Sequence, residues 1–204
     1  MNNRVDYAEL ATTWHRRLSG VTEHLWVSGD LHPDEREAAH QIGDWREREI
    51  KVVIDLREEL SDQALIDDLA PDLTYVSLGT HDNGSTQSDD WFAKGVDMAR
   101  WAATNGEAIL FLSHMGVSRA PAMALRVLLD EGWNALQAAT WIRSVRPIAS
   151  LAYALDALDH HQRTAEHPVY DDERSVLDSW LTKNPVDLPA IIGRIHRTVV
   201  SWVP

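Results

Sequence analysis

Cysteine is absent from the 204 residues, which excludes disulfides and thiolate metal sites within the chain. No apolar stretch approaches the ~20 residues that a membrane-spanning helix needs, and residues 1–7 hold no apolar run of the signal-peptide type. The expectation is a soluble, cytoplasmic protein. Basic residues are outnumbered: 19 Lys and Arg stand against 32 Asp and Glu, a formal net charge of −13, and no Lys/Arg run or stripe breaks that excess. Neither nucleic acid nor an anionic membrane is therefore expected as a partner. The length suits one domain with an elaboration, long enough to bury one sizeable core.

Strand and helix patterns alternate along the chain, which points to an α/β layer fold. Strands are predicted over 22–30, 51–56, 73–78 and 109–112, and helices over 6–18, 34–47, 91–105, 120–131, 134–145 and 147–161. Pro33 and Asp34 suit a helix start, Gly132 separates two helices, and 79–90 reads as a polar loop. The fold expected is a central, mostly parallel sheet of about four to five strands flanked by helices over residues 1–162. A helical extension over 163–204 follows, with helices at 171–183 and 188–202 hinged at Asn184-Pro185 and an apolar end at 199–203 that should be buried.

The most informative stretch runs from the apolar strand 108–112 through Ser113-His114-Met115-Gly116-Val117-Ser118-Arg119 straight into a helix. A strand–turn–helix passage of this kind builds an anion site. The helix N-terminus presents unpaired N–H groups and the positive end of the macrodipole, and a turn wound around an oxyanion adds further N–H groups pointing inward. Gly116 supplies the backbone freedom the turn requires. Arg119 supplies a fork of donors that matches phosphate oxygens.

These residues resemble the signature loop of the cysteine-dependent protein tyrosine and dual-specificity phosphatases, bacterial types included: Cys, five residues, Arg, then a hydroxyl or small residue. The nucleophile position is Ser113. The similarity extends in order over roughly residues 20–162, through Trp26-Val27-Ser28-Gly29, residues 52–57, the loop and Val145-Arg146-Pro147. It implies a dual-specificity-phosphatase-like fold and a phosphoric monoester hydrolase working through a phosphocysteine, with residues 113–119 binding phosphate. It also implies that Asp82, on the loop before the helix at 91, is the general acid, with Asp89 and Asp90 as competitors better suited to the first helical turn. Ser118 would stabilise the leaving thiolate or cap the following helix. No cofactor or metal is implied.

A serine hydroxyl is a weak nucleophile until a base takes its proton, and the motif supplies none. As it stands, then, the chain should bind phosphate without turning it over. Two origins fit. The reading adopted is a phosphoprotein phosphatase in an inactive, substrate-trapping Cys-to-Ser form; the alternative is a natural pseudophosphatase that binds phosphate or phosphopeptides. A phosphorylated protein is the default partner and a small phosphorylated metabolite the next, with phosphate or sulfate able to sit in the loop. Inositol phospholipids are disfavoured because the loop carries no lysine. Two departures from the family stand out: Leu112 replaces the usual histidine before the nucleophile, and 148–152 lacks the Asn that supports the loop, so support must come from elsewhere.

Rival readings are weaker. Gly116-Val117-Ser118-Arg119-Ala120 is similar to the nucleophile elbow of α/β-hydrolases, with Asp156 or Asp159 and His160, His161, His167 or His196 as nominal partners. No upstream oxyanion segment accompanies it, and Arg119 would have no role. The nine tryptophans read as core packing, His160-His161 as a solvated helix end rather than a metal site, and His81 as a residue at the site's mouth or an exposed loop histidine.

Overall fold

The structure, a computed structural model, describes residues 5–165 and 172–200, with side chains as far as residue 196. Five strands, β1 (Ser19–Gly20), β2 (Leu25–Ser28), β3 (Ile50–Arg57), β4 (Thr74–Thr80) and β5 (Ala108–Leu112), form one sheet in the order β1-β2-β5-β3-β4. All neighbours are parallel except β1, which runs antiparallel to β2. Because β5 enters between β2 and β3, the loop leaving its carboxyl end lies at the middle of the sheet's carboxyl edge. Open α/β sheets bind ligands at such a point.

Both faces of β5 are covered, which explains its unbroken apolar sequence. Ile109 and Phe111 face helices α4 (Asp89–Thr104), α5 (Arg119–Asp130), α6 (Ala135–Val145) and α7 (Ala154–Thr164). Ala108, Leu110 and Leu112 face the opposite layer, where α2 (Glu35–Glu47) and α3 (Gln63–Leu69) contribute Ile42, Trp45 and Ile66. The strand period of two thus divides one apolar run between two cores. A third, smaller cluster joins α1 (Tyr7–Trp14) and α9 (Leu188–Val200) through Ala11, Ile191 and Ile195. Helix α8 (Asp172–Lys183) places Leu177 in the α4–α7 core, and Trp180 packs under Arg143 with 5.2 Å between guanidinium and ring.

Several boundaries differ from the sequence reading. Helix α1 stops at Trp14, α3 and the two-residue β1 are additional, and α7 starts at Ala154, not 147. Leu151, with φ +57°, occupies the left-handed region and interrupts helix geometry there. Helix α7 crosses the expected boundary at 162. The expected burial of 199–203, together with Trp202 and His167, lies outside the described residues or side chains. Tryptophan is not uniformly core: Trp45 and Trp91 are buried, but Trp101, Trp133 and Trp141 are exposed. His160 is buried rather than solvated, stacking on Phe92 and accepting from Arg126 Nε at 2.7 Å. Among the described residues no helix is long and apolar enough to cross a membrane.

Candidate active site

The loop after β5 turns back on itself at Gly116, whose N–H donates to the Ser113 carbonyl at 3.1 Å and whose φ is +60°. A Cβ there would collide with the Arg146 guanidinium and the Ser28 backbone, so glycine is required on both counts. The backbone N–H groups of His114, Met115, Val117, Ser118 and Arg119 find no protein acceptor among the described residues. Together these five groups form a nest of N–H donors at the N-terminus of α5, a geometry of the kind that suits anions. Ser113 is buried at its base, where its Oγ lies 3.4 Å from the Ala120 amide it accepts from.

The support missing from the sequence reading comes from Arg146. This fully buried side chain donates to the Gly116 carbonyl at 2.5 Å, the Met115 carbonyl at 3.0 Å, the Arg17 carbonyl at 2.8 Å, the His15 carbonyl at 3.1 Å and Ser19 Oγ at 3.0 Å. Burial pushes its proton affinity below the usual arginine value, and no carboxylate among the described residues compensates. Ser150 adds a second brace, its amide and Oγ both donating to the Val117 carbonyl at 2.9 and 3.1 Å. The Met115 and Val117 side chains point away from the nest into the α1–α9 cluster, so the C-terminal helix buttresses the loop from behind.

Arg119 is likewise buried and tightly held. Its Nη1 donates to Glu59 Oε2 at 2.8 Å, the Thr80 carbonyl at 2.9 Å and the Leu56 carbonyl at 3.3 Å, while Nη2 donates to Glu59 Oε1 at 2.6 Å. Hydrogen bonding from Arg119 holds the Glu59 carboxyl down at about 2. Burial works against the Arg119 charge, but the Glu59 hydrogen bonds and the Asp82 and Glu59 charges outweigh it and raise its proton affinity. Nε is buried without a hydrogen-bond partner; Asp82 Oδ2 stands 3.4 Å away at ion-pair separation only.

Asp82 is fixed from the far side by Tyr153, whose hydroxyl donates to Oδ1 at 2.7 Å and accepts from the Gly84 amide at 3.2 Å. Burial and the Asp82 bond both raise the Tyr153 phenol above its ordinary value. Asp156 of α7 accepts from the Gln87 amide at 3.0 Å and so ties down the same loop. Of the three candidate carboxylates, only Asp82 stands at Arg119. Asp89 pairs with Arg163 at 2.5 Å and Asp90 with Lys94 at 2.7 Å, both in the first turn of α4, and Ser88 is that helix's cap.

Ser118 occupies the N-cap position of α5, yet its hydroxyl makes no capping bond and instead lies 3.4 Å from Ser150 Oγ. The capping role expected for it is not realised, because the nearby Ala120 amide is turned to Ser113 Oγ. His114 Nδ1 is 3.2 Å from Asp30 Oδ2, and His81 is an exposed histidine paired with Glu58. The hydrolase-elbow partners are otherwise engaged: His160 with Arg126, Asp156 with Gln87, Asp159 with Arg174. Among the described residues no three His, Cys, Asp or Glu side chains cluster as metal ligands. Sequence reasoning missed Glu59, Tyr153 and Arg146 as parts of the site; only Arg146, beside Pro147, lay in a segment already singled out.

No protein-family model and no curated protein matches the sequence. Solved structures do. Human DUSP28 superposes with a TM-score of 0.59 at 18% identity, covering 72% of this chain and 93% of that one. A mouse putative dual specificity phosphatase complexed with zinc tungstate gives 0.59 at 17% identity, covering 72% and 87%. PTPMT1 in complex with PI(5)P gives 0.58 at 16% identity, covering 72% and 95%. The chain therefore has the fold of the dual-specificity phosphatases, an α/β fold whose five-stranded, mostly parallel sheet is flanked by helices.

Proposed function

We propose that the loop 113–119 takes the phosphate group of a phosphorylated protein, and that the chain is a phosphotyrosine or dual-specificity phosphatase domain held in an inactive, substrate-trapping form by Ser113. The observation that carries this reading is a set of donors without protein acceptors among the described residues, five backbone N–H groups of the loop and buried Arg119 Nε, all within the seven residues that begin at Ser113. Preorganised donors of this kind stabilise three phosphate oxygens and the charge that develops on them.

With a thiol at position 113, the helix N-terminus and the nest would favour the thiolate. The thiolate sulfur attacks phosphorus, the ester oxygen leaves and takes a proton from Asp82, and a phosphocysteine remains. Water then attacks that phosphorus, losing its proton to Asp82, and the thiolate departs with phosphate released. Ser118 is assigned to the thiolate's side of the nest. With Ser113 the first step lacks a base, because the atom bonded to its Oγ is an amide donor.

PTPMT1 was crystallised with PI(5)P and the mouse relative with tungstate, a tetrahedral oxyanion. The loop here carries no lysine for a polyanionic head group, which favours a protein-borne phosphate over a phosphoinositide. Leu112 in the usual histidine position favours the second reading, a natural pseudophosphatase that binds phosphopeptides. Titration calorimetry with inorganic phosphate tests what both share. Binding should be saturable and lost in Arg119→Ala; binding that ignores Arg119→Ala would sink both.

A further inference from the structure

A hollow of about 220 Å3 opens beside β1, β2 and α2, and it shares no residue with the signature loop, Glu59 or Asp82. Three arginines line it: Arg16, Arg17 and Arg48. Their engagements are slight. Arg16 Nη1 is 3.2 Å from His15 Nε2, with Nε at 3.4 Å from Asp30 Oδ1; Arg17 lies over the Trp14 ring at 4.4 Å; among the described residues the Arg48 side chain pairs with its exposed neighbour Glu47, at 3.5 Å. Asp44 is the one carboxylate in the lining, and among the described residues it forms an ion pair with none of them.

In a chain with 32 acidic and 19 basic residues, an arginine has carboxylates within easy reach. Three arginines lining one hollow bias it toward an anion, since Asp30 and Glu47 engage Arg16 and Arg48 only at ion-pair separations of 3.4 and 3.5 Å. The aromatic side of the hollow is built with the same bias. Trp26 sits opposite Gly20 in the β1–β2 ladder, and a Cβ on Gly20 would stand 2.9 Å from its ring, so the glycine makes room for the indole. Trp26 Nε1 is buried with no acceptor among the described residues, a costly state for an indole N–H. Trp45, 1% exposed, closes the floor.

We propose that this hollow is a second ligand site, taking a small oxyanion, phosphate or carboxylate, with the Trp26 indole N–H and the guanidinium groups of Arg16 and Arg48 donating to it. Guanidinium groups and an indole N–H lining one hollow are donors of the kind such anions require.

The full chain labelled with 15N carries nine tryptophan indoles, and Trp26→Phe assigns the Trp26 resonance. Inorganic phosphate and citrate, titrated separately, distinguish a phosphate site from a carboxylate site. At least one should move the Trp26 indole saturably, with a midpoint raised about tenfold in Arg48→Ala and in Arg48→Gln, the worth of one charge-assisted pair. Arg48 is exposed, so both variants keep the fold, which the Gly116 amide resonance monitors. Asp30 touches both Arg16 and His114, so a response transmitted from the signature loop would also reach Trp26; such a response would not depend on Arg48. An indole unmoved by both anions, or a midpoint unchanged in both Arg48 variants, overturns the site.

Discussion

Replacing Arg146 with methionine keeps much of the side-chain volume and removes the fork that ties the signature loop to the rest of the molecule. Four backbone carbonyls, those of His15, Arg17, Met115 and Gly116, and the Ser19 hydroxyl lose their donor together. Each stranded acceptor costs about 1 kcal/mol or more, and the relief from no longer burying a guanidinium offsets part of it. With five neutral acceptors stranded and that relief subtracted, the net loss should be about 3–5 kcal/mol. For a chain of this size that is a fall in the melting temperature of about 10 °C. Two of the lost anchors belong to the nest, so phosphate affinity, measured by calorimetry well below the transition, should drop about tenfold or more. Arg146→Lys, which keeps the charge but not the planar fork, should fall between. If Arg146→Met melts within about 2 °C of the parent and binds phosphate as well, the loop is not held by Arg146 and the structural reasoning fails.

Glu59→Gln should destabilise modestly, under about 1 kcal/mol because the carboxylate is 42% exposed. A carboxyl held at about 2 in the fold contributes stability that is fully present above its unfolded value near 4.5 and disappears as pH falls toward 2. Urea midpoints of parent and Glu59→Gln should therefore differ at pH 6 and converge on acidification; a gap that widened toward pH 3 would contradict the pairing. Tyr153→Phe in a Ser113→Cys background should leave the melting temperature nearly unchanged but slow turnover of esters with poor leaving groups, since the hydroxyl that positions Asp82 is gone. Equal slowing for good and poor leaving groups would separate Tyr153 from acid catalysis.

The centre of the molecule was readable because its signals are local. An apolar run, a glycine, an arginine seven residues from the strand end and a helix pattern are contiguous, and the strand–loop–helix they predict is β5, the turn over 113–118 and α5. The partners of that loop were not readable, because they are brought to it by the fold. Arg146 follows a helix on the far side of a turn, and nothing in its neighbours shows that it reaches back to the carbonyls of residues 15, 17, 115 and 116. Glu59 looks like one more acidic residue after a strand; only the twist that carries Leu56 and Thr80 beside Arg119 gives it a role. Tyr153 was hidden inside a helix expected from 147, whereas the left-handed turn at Leu151 leaves 147–153 as a segment that supplies both Ser150 and Tyr153 to the site. The short α3 lacks the length for a helical period, and the exposed tryptophans show that aromatic content alone does not locate a core.

The change Ser113→Cys tests the central claim most directly, since it restores the one atom the proposed chemistry lacks while leaving the Arg119–Asp82 pair and the loop backbone as they are. The account predicts hydrolysis of an aryl phosphate by a thiol of lowered pKa, alkylated by iodoacetate at mildly acidic pH and protected by inorganic phosphate. A folded, phosphate-binding Ser113→Cys protein that hydrolyses neither an aryl phosphate nor a phosphopeptide would contradict it and leave a binding module in place of an enzyme.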